Sequence, residues 1–171
     1  MRNSVVTAIW QTLSRHPIAA FRFNFRGVGS SEGSFDNGIG EQQDVRAALD
    51  FVLSSPNVDS KKIGLAGYSF GAMMALLAAR KDERISRLAL VSAPLSDLNW
   101  EQLKKYDKPR LFLVGDADQM VSLEGFRQQV KNIPNPELYQ IIPGADHFLG
   151  GYEEEVAQRV SRFFAAGFSG I

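Results

Sequence analysis

The stretch that decides the fold is residues 63–79, IGLAGYSFGAMMALLAA. It begins with a short apolar run, residues 63–66, of the kind that forms a buried strand. It ends with residues 72–79, which are strong helix formers. Between them lies Gly67-Tyr68-Ser69-Phe70-Gly71, with a glycine two positions on either side of Ser69. The pattern predicts a strand, a sharp turn at Ser69 and a helix.

Such a turn has a chemical use. Glycines at these two positions leave room for strained backbone angles, so the Ser69 hydroxyl would stand exposed at the edge of a sheet. The same five letters also occur in ordinary loops. The flanking strand and helix favour a G-x-S-x-G nucleophile elbow, and two downstream residues favour it further.

Those residues are Asp118 and His147. Asp118 follows the apolar run 111–114, and His147 follows the apolar pair 141–142, each in a loop that leaves a predicted strand. Because the carboxyl ends of parallel strands open on one edge of a sheet, the three side chains are expected to meet there.

The chemistry requires these residue types. A serine hydroxyl needs a base to take its proton, and histidine has an ordinary pKa near the working range. A buried carboxylate then holds the imidazole tautomer. The chain has two histidines. His16 is predicted to be a surface turn residue or a helix C-cap, so His147 is the better candidate for the base.

With these residues in place, the chain resembles a small lid-less serine hydrolase of the α/β-hydrolase superfamily, similar to esterases and dienelactone hydrolases. Ser69 matches the nucleophile, Asp118 the acid of the G-x-x-D-x-x-V pattern at 115–121, and His147 the base of P-G-A-D-H. Residues 26–33, RGVGSSEG, resemble a turn that follows an early strand in many members. The order Ser, Asp, His is that of the superfamily. The resemblance implies hydrolysis of small carboxylic esters.

Two other carboxylates compete for the role of the acid. The matching pattern favours Asp118, whereas Asp116 could cap the strand end or bond nearby amides. Asp146 is adjacent to His147, and adjacent side chains usually diverge, so its simplest interpretation is a solvated turn acid.

The composition and the spacing of apolar residues along the chain indicate one α/β domain over residues 1–171. Hydrophobic residues make up 44% and charged residues 22%, and 19 basic residues balance 19 acidic ones. Helical and strand patterns alternate, which predicts a mostly parallel sheet with helices on both faces. The strands are predicted at 18–25, 63–66, 85–91, 110–114 and 138–142, and the helices around 5–13, 45–53, 72–79, 100–106, 123–130 and 152–164.

The same features argue against several partners and cofactors. No basic patch indicates nucleic-acid or membrane-surface binding, and no run approaches the ~20 apolar residues of a membrane span, so a cytoplasmic location is expected. The absence of cysteine excludes disulfides, and two distant histidines are too few for a zinc site. The glycines at 27–33 do not fit G-x-G-x-x-G. No cofactor or metal is expected.

Two departures from the superfamily pattern remain. Only about fifteen residues separate the end of the third predicted strand region, near Ala93, from the strand that begins at Arg110, so no lid domain is expected and the site should be open. The N-terminal strands and the oxyanion loop are missing, so the Phe70 backbone N–H is the one oxyanion donor identified.

The missing part includes a strand between those ending at Phe25 and Gly67. Either these two strands pair directly, another copy fills the gap in a homo-oligomer, or the chain is a fragment. Two functional classes follow: a carboxylic-ester hydrolase, or an impaired hydrolase-fold protein with a binding or assembly role.

Overall fold

The computed structural model describes residues 3–94, 106–130 and 138–168. The described elements alternate along the chain much as the sequence predicts. Their bounds are α1 Ser4–Leu13, α2 Ile39–Leu53, β1 Ile63–Tyr68, α3 Phe70–Ala79, β2 Ile85–Val91, β3 Arg110–Gly115, α4 Leu123–Val130, β4 Leu138–Ile142 and α5 Glu153–Phe168. Most of the helix predicted at 100–106 lies outside the described residues.

The four described strands form one parallel sheet in the order β1-β2-β3-β4. All six residues of β3 are buried, as expected for a parallel strand covered on both faces. The register places Tyr68 opposite Val91, Val91 opposite Leu113, and Gly115 opposite Ile142. The carboxyl ends of all four strands therefore lie along one edge.

Two apolar layers hold the helices against the sheet. One layer joins α2 and α3 to one face, with Leu49, Met74 and Leu90 among its buried members. The other joins α1 and α5 to the opposite face, through residues such as Ile9 and Val160. This arrangement confirms the predicted α/β fold with helices on both faces.

The predicted strand at 18–25 is not part of the sheet. Its backbone forms no ladder with β1, and among the described residues none of the amides from 19 to 25 donates a hydrogen bond. The alternative of direct pairing with β1 was therefore wrong. Alternating Phe and polar residues encode an extended chain, but a ladder also needs a neighbour at strand distance, and here a cavity lies between the two segments.

Candidate active site

Ser69 stands on the turn between β1 and α3. Its backbone angles are φ 51° and ψ −121°, a strained combination for a residue with a side chain. A Cβ on Gly67 would lie 2.2 Å from the carbonyl oxygen of Gly71, so the first glycine of the motif is needed for the tight turn. The Ser69 amide donates to the Val91 carbonyl over 2.8 Å, which anchors the turn to the end of β2.

The structure brings the three predicted side chains together. Ser69 Oγ lies 2.9 Å from His147 Nε2. On the other side of the ring, His147 Nδ1 lies 2.9 Å and 3.1 Å from the two carboxylate oxygens of Asp118. His147 is 5% and Asp118 8% exposed. With the proton on Nδ1 donated to Asp118, Nε2 is free to accept from the Ser69 hydroxyl.

Close backbone contact brings the Asp118 and His147 loops together. A Cβ on Gly115, the last residue of β3, would lie 2.0 Å from the carbonyl oxygen of Ala145, so only glycine allows this approach. Asp118 Oδ1 accepts hydrogen bonds of 2.9 Å from the amides of Met120 and Val121. These bonds orient the carboxylate toward the imidazole.

The competing carboxylates have other partners. Asp116 Oδ1 accepts from the Gly144 amide over 2.7 Å and so fastens the two loops together. Asp146 Oδ1 accepts from the amides of Phe148 and Leu149, both at 3.0 Å, and closes its own turn. His16 is exposed in the turn that follows α1.

Phe70 is the first residue of α3, and its amide has no acceptor in the described part of the chain. The first amides of a helix have no intrahelical partner and carry partial positive charge. A free donor therefore lies directly beside Ser69, where the sequence predicts it.

Tyr68 is a residue of the site that sequence reasoning missed. Its hydroxyl donates to the His147 carbonyl over 2.9 Å across 79 positions of sequence, and its ring lies 5.9 Å from the imidazole. Burial raises the pKa of the Tyr68 hydroxyl, and the carboxylates of Asp118 and Asp146 raise it further. The hydroxyl therefore keeps its proton and holds the His147 loop. No local pattern signals a contact of this range.

Two exposed aromatic rings border the site. Phe35 is 63% exposed and its ring centroid lies 5.7 Å from that of Phe70. Phe148 is 71% exposed and lies 5.8 Å from the ring of His147. Apolar surface therefore adjoins both the turn of Ser69 and the imidazole.

Within the described ranges, no three His, Asp or Glu side chains are grouped as a metal site would need. The helices described in the structure are also too short or too polar to cross a bilayer.

The parallel sheet, its two helical layers and the strand-turn-helix at Ser69 define an α/β hydrolase. The chain belongs to the dienelactone hydrolase family, whose model matches residues 36–165. It is a hydrolase of the α/β superfamily, as the sequence resemblance predicted.

Three relatives illustrate this membership. RP471 of Rickettsia prowazekii is 34% identical, over 95% of this chain and 71% of its own length. An alpha-beta serine hydrolase homologue from Coxiella burnetii superposes with a TM-score of 0.85 at 34% identity, over 95% of this chain and 76% of that one. A lid-less a/b serine hydrolase from Xanthomonas campestris superposes with a TM-score of 0.84 at 30% identity, over 98% of this chain and 75% of that one.

Proposed function

We propose that this chain is a serine hydrolase that cleaves small carboxylic esters through Ser69, His147 and Asp118. The observation that carries the proposal is the unbroken line of hydrogen bonds from Ser69 Oγ through the imidazole to the Asp118 carboxylate. A serine placed on a strained turn beside a buried His and carboxylate is arranged for nucleophilic attack.

In the proposed reaction, Ser69 Oγ attacks the ester carbonyl carbon while His147 Nε2 takes the hydroxyl proton. The negative charge that forms on the carbonyl oxygen accepts a hydrogen bond from the Phe70 amide. The C–O bond to the alcohol then breaks, and the imidazolium protonates the leaving oxygen. Water repeats the sequence on the acyl-serine and releases the acid, and Asp118 stabilises the imidazolium in both halves.

The substrate class follows from the surroundings of Ser69. The short connection between β2 and β3 leaves little chain for a covering domain, which favours small esters. The exposed rings of Phe35 and Phe148 offer apolar contact to an acyl or alcohol group. Thioesters and peptides would use the same three side chains. Turnover of a panel of esters, thioesters and peptides would therefore assign the reaction within this class.

The second candidate is an impaired hydrolase-fold protein that binds without turnover. The observation that favours it is the oxyanion site, where Phe70 is the donor identified among the described residues. Losing one of two donors typically lowers turnover by ~10²–10³.

A fluorophosphonate probe separates the two candidates, because it labels only an activated serine. We expect labelling and slow hydrolysis of p-nitrophenyl acetate, both lost in Ser69→Ala and His147→Ala, since these residues act as a unit. Ser31→Ala is the control, because Ser31 lies in the turn after residues 18–25, where its hydroxyl donates to the Asn24 carbonyl. An unlabelled, folded wild type would support the binding protein, and full turnover by Ser69→Ala would refute the assignment.

A further inference from the structure

Ser69 has two neighbours, and an exposed aromatic ring packs on each of them. Its neighbour in the chain, Phe70, has a ring whose centroid lies 5.7 Å from that of Phe35. Its hydrogen-bond partner, His147, has an imidazole 5.8 Å from the ring of Phe148, with the two planes edge to face. Phe35 is 63% and Phe148 71% exposed. Each ring therefore presents most of its apolar surface to solvent close to the proposed nucleophile.

Neither of these rings is needed to hold the described fold together. Phe35 and Phe148 both lie outside the two apolar layers that join the described helices to the sheet. A single exposed ring on a protein surface is ordinary. Two rings that adjoin the same serine, however, form an apolar surface at the place where a substrate must lie. We therefore examine what each ring would contact during the proposed reaction.

The chemistry of ester cleavage distinguishes the two rings. The leaving alcohol oxygen takes its proton from His147 Nε2, so the alcohol half of the ester lies toward the imidazole and its neighbour Phe148. The carbonyl oxygen accepts from the Phe70 amide, and this oxygen belongs to the acyl half. The acyl half therefore lies nearer to Phe35, which packs on Phe70.

The loops around the two rings carry negative charge. In sequence, the segments 27–38, 116–122 and 143–152 contain no Lys or Arg, and their acidic residues are Glu32, Asp36, Asp116, Asp118 and Asp146. The carboxylates of Asp118 and Asp146 act as far as Tyr68, where they help to raise the pKa of the hydroxyl. A substrate with its own carboxylate would be repelled by these charges, whereas a neutral substrate would not.

We propose that the site takes neutral esters with an aromatic ring in each half, the acyl ring contacting Phe35 and the alcohol ring contacting Phe148. The inference rests on the proposed function, because the roles of Phe70 and His147 assign the two halves. It makes Phe35 and Phe148 the residues that determine specificity. Contact between aromatic rings contributes roughly twofold to tenfold in kcat/KM beyond apolar burial.

The first test compares kcat/KM for esters that differ in one half at a time: ethyl acetate, benzyl acetate, ethyl phenylacetate and benzyl phenylacetate. Ethanol and benzyl alcohol are both primary alcohols, so the leaving oxygen changes little between them. We expect a benzene ring in either half to raise kcat/KM of the wild type at least about tenfold.

Two further esters test the shape and the charge of the alcohol half. Cyclohexylmethyl acetate is similar in size to benzyl acetate but is not flat, and we expect at least about threefold lower kcat/KM. The ester 4-carboxybenzyl acetate adds a carboxylate to the same ring, and we expect at least about tenfold lower kcat/KM, with a smaller difference at high salt.

A set of variants assigns each ring to its half of the substrate. Phe148→Ala should reduce the preference for benzyl over ethyl esters to less than about threefold and keep the preference for phenylacetyl over acetyl esters. Phe35→Ala should do the reverse. Because each preference is a ratio measured within one variant, a general loss of activity cancels. The control is Phe51→Ala, since Phe51 is 65% exposed but packs on Phe21, and it should change neither preference.

Leucine variants separate ring contact from apolar burial. Phe148→Leu keeps an apolar side chain beside His147, so it should lose the preference for benzyl over cyclohexylmethyl acetate while it still cleaves both. Circular dichroism checks that each variant folds, and the leucine variant decides at a position where the alanine variant does not fold.

The possible results separate this inference from the proposed function. Equal kcat/KM for all the neutral esters, in a wild type that reacts with the fluorophosphonate probe, would overturn the inference and leave the proposed function in place. Unchanged preferences in both alanine variants, or loss of the same preference in both, would overturn the assignment of the two rings. A folded wild type with neither labelling nor hydrolysis would refute the proposed function and this inference with it.

Discussion

At the scale of single residues, two aspartates that are two positions apart, Asp116 and Asp118, have different partners. Asp118 Oδ2 lies 2.9 Å from the imidazole Nδ1, whereas Asp116 is bonded to the Gly144 amide. An amide in place of the first carboxylate keeps the shape but favours the wrong imidazole tautomer, which lowered turnover ~10⁴-fold in a serine protease.

We therefore expect Asp118→Asn to lower kcat on p-nitrophenyl acetate by about 10³–10⁴. Asp116→Asn, which still offers an oxygen to Gly144, should lower it by less than about tenfold. Steady-state kinetics on both variants measures the difference. The reverse ranking would transfer the role to Asp116.

A single glycine also controls how closely two loops of the site approach. Gly115→Ala would place a Cβ 2.0 Å from the Ala145 carbonyl oxygen. We expect a loss of about 1–3 kcal/mol in the free energy of unfolding, as for other overpacked sites, together with reduced turnover as the His147 loop moves away.

The control for this variant is Gly125→Ala in α4. The nearest atom to a Cβ there is the Ser122 hydroxyl at 3.4 Å, and alanine is the better helix former. This variant should gain up to about 1 kcal/mol. Urea denaturation measures both changes, and equal stability of the two variants would contradict the close approach of the loops.

At the scale of elements, the start of α2 is held by a buried carboxylate. The two oxygens of Glu41 accept from the amides of Asp36 and Gly38, each over 2.8 Å. These bonds begin the helix at Ile39, six residues before the apolar face predicted from Val45, and they hold the loop that carries Phe35.

The pKa of Glu41 sets a pH dependence for this element. Burial acts to raise the pKa of the Glu41 carboxyl, but hydrogen bonds from the backbone of Asp36, of Glu41 itself and of Gly38, together with the charge of Arg26, outweigh it and hold the pKa below its ordinary value. Because the folded pKa is depressed, the stability from this group is present above the ordinary pKa. It is lost as the pH falls through the folded value.

We expect Glu41→Gln to lower the free energy of unfolding by about 1–3 kcal/mol at neutral pH, because one accepting oxygen is replaced by a donor. The difference from the wild type should shrink as the solution is acidified and the wild-type carboxyl takes up a proton. Urea denaturation of both proteins from about pH 7 to about pH 3 measures this difference in the free energy of unfolding. A constant difference over this range would argue against an ionised Glu41.

At the scale of the whole molecule, backbone amides differ in how well hydrogen bonds protect them from exchange with solvent. The strands β2 and β3 each pair with a strand on both sides, whereas none of the amides from 19 to 25 donates a hydrogen bond within the described chain. Amides without partners open at little cost.

Hydrogen exchange of the free chain should therefore be slowest in β2 and β3 and fast across residues 19–25. Mass spectrometry of peptic fragments, with light scattering on the same sample, measures both exchange and mass. Slow exchange at 19–25 in a monomer would mean that this segment does pair with β1 in solution.

Much of the fold could be predicted because its signals are local. A short apolar run, two glycines around a serine and a run of helix formers encode β1, the turn and α3 through neighbouring residues alone. The order of Ser69, Asp118 and His147 after three strands then indicates one shared edge, because parallel strands end on the same side.

Several contacts between distant parts of the chain could not be predicted from the sequence and are seen only in the tertiary structure. These include the Tyr68 bond to the His147 carbonyl and the position of residues 18–25 outside the described sheet. The phenylalanine alternation at 18–25 predicts a strand, but the segment lies outside the described sheet. Whether that backbone joins a sheet depends on what lies at strand distance beside it, and no local pattern specifies the neighbour.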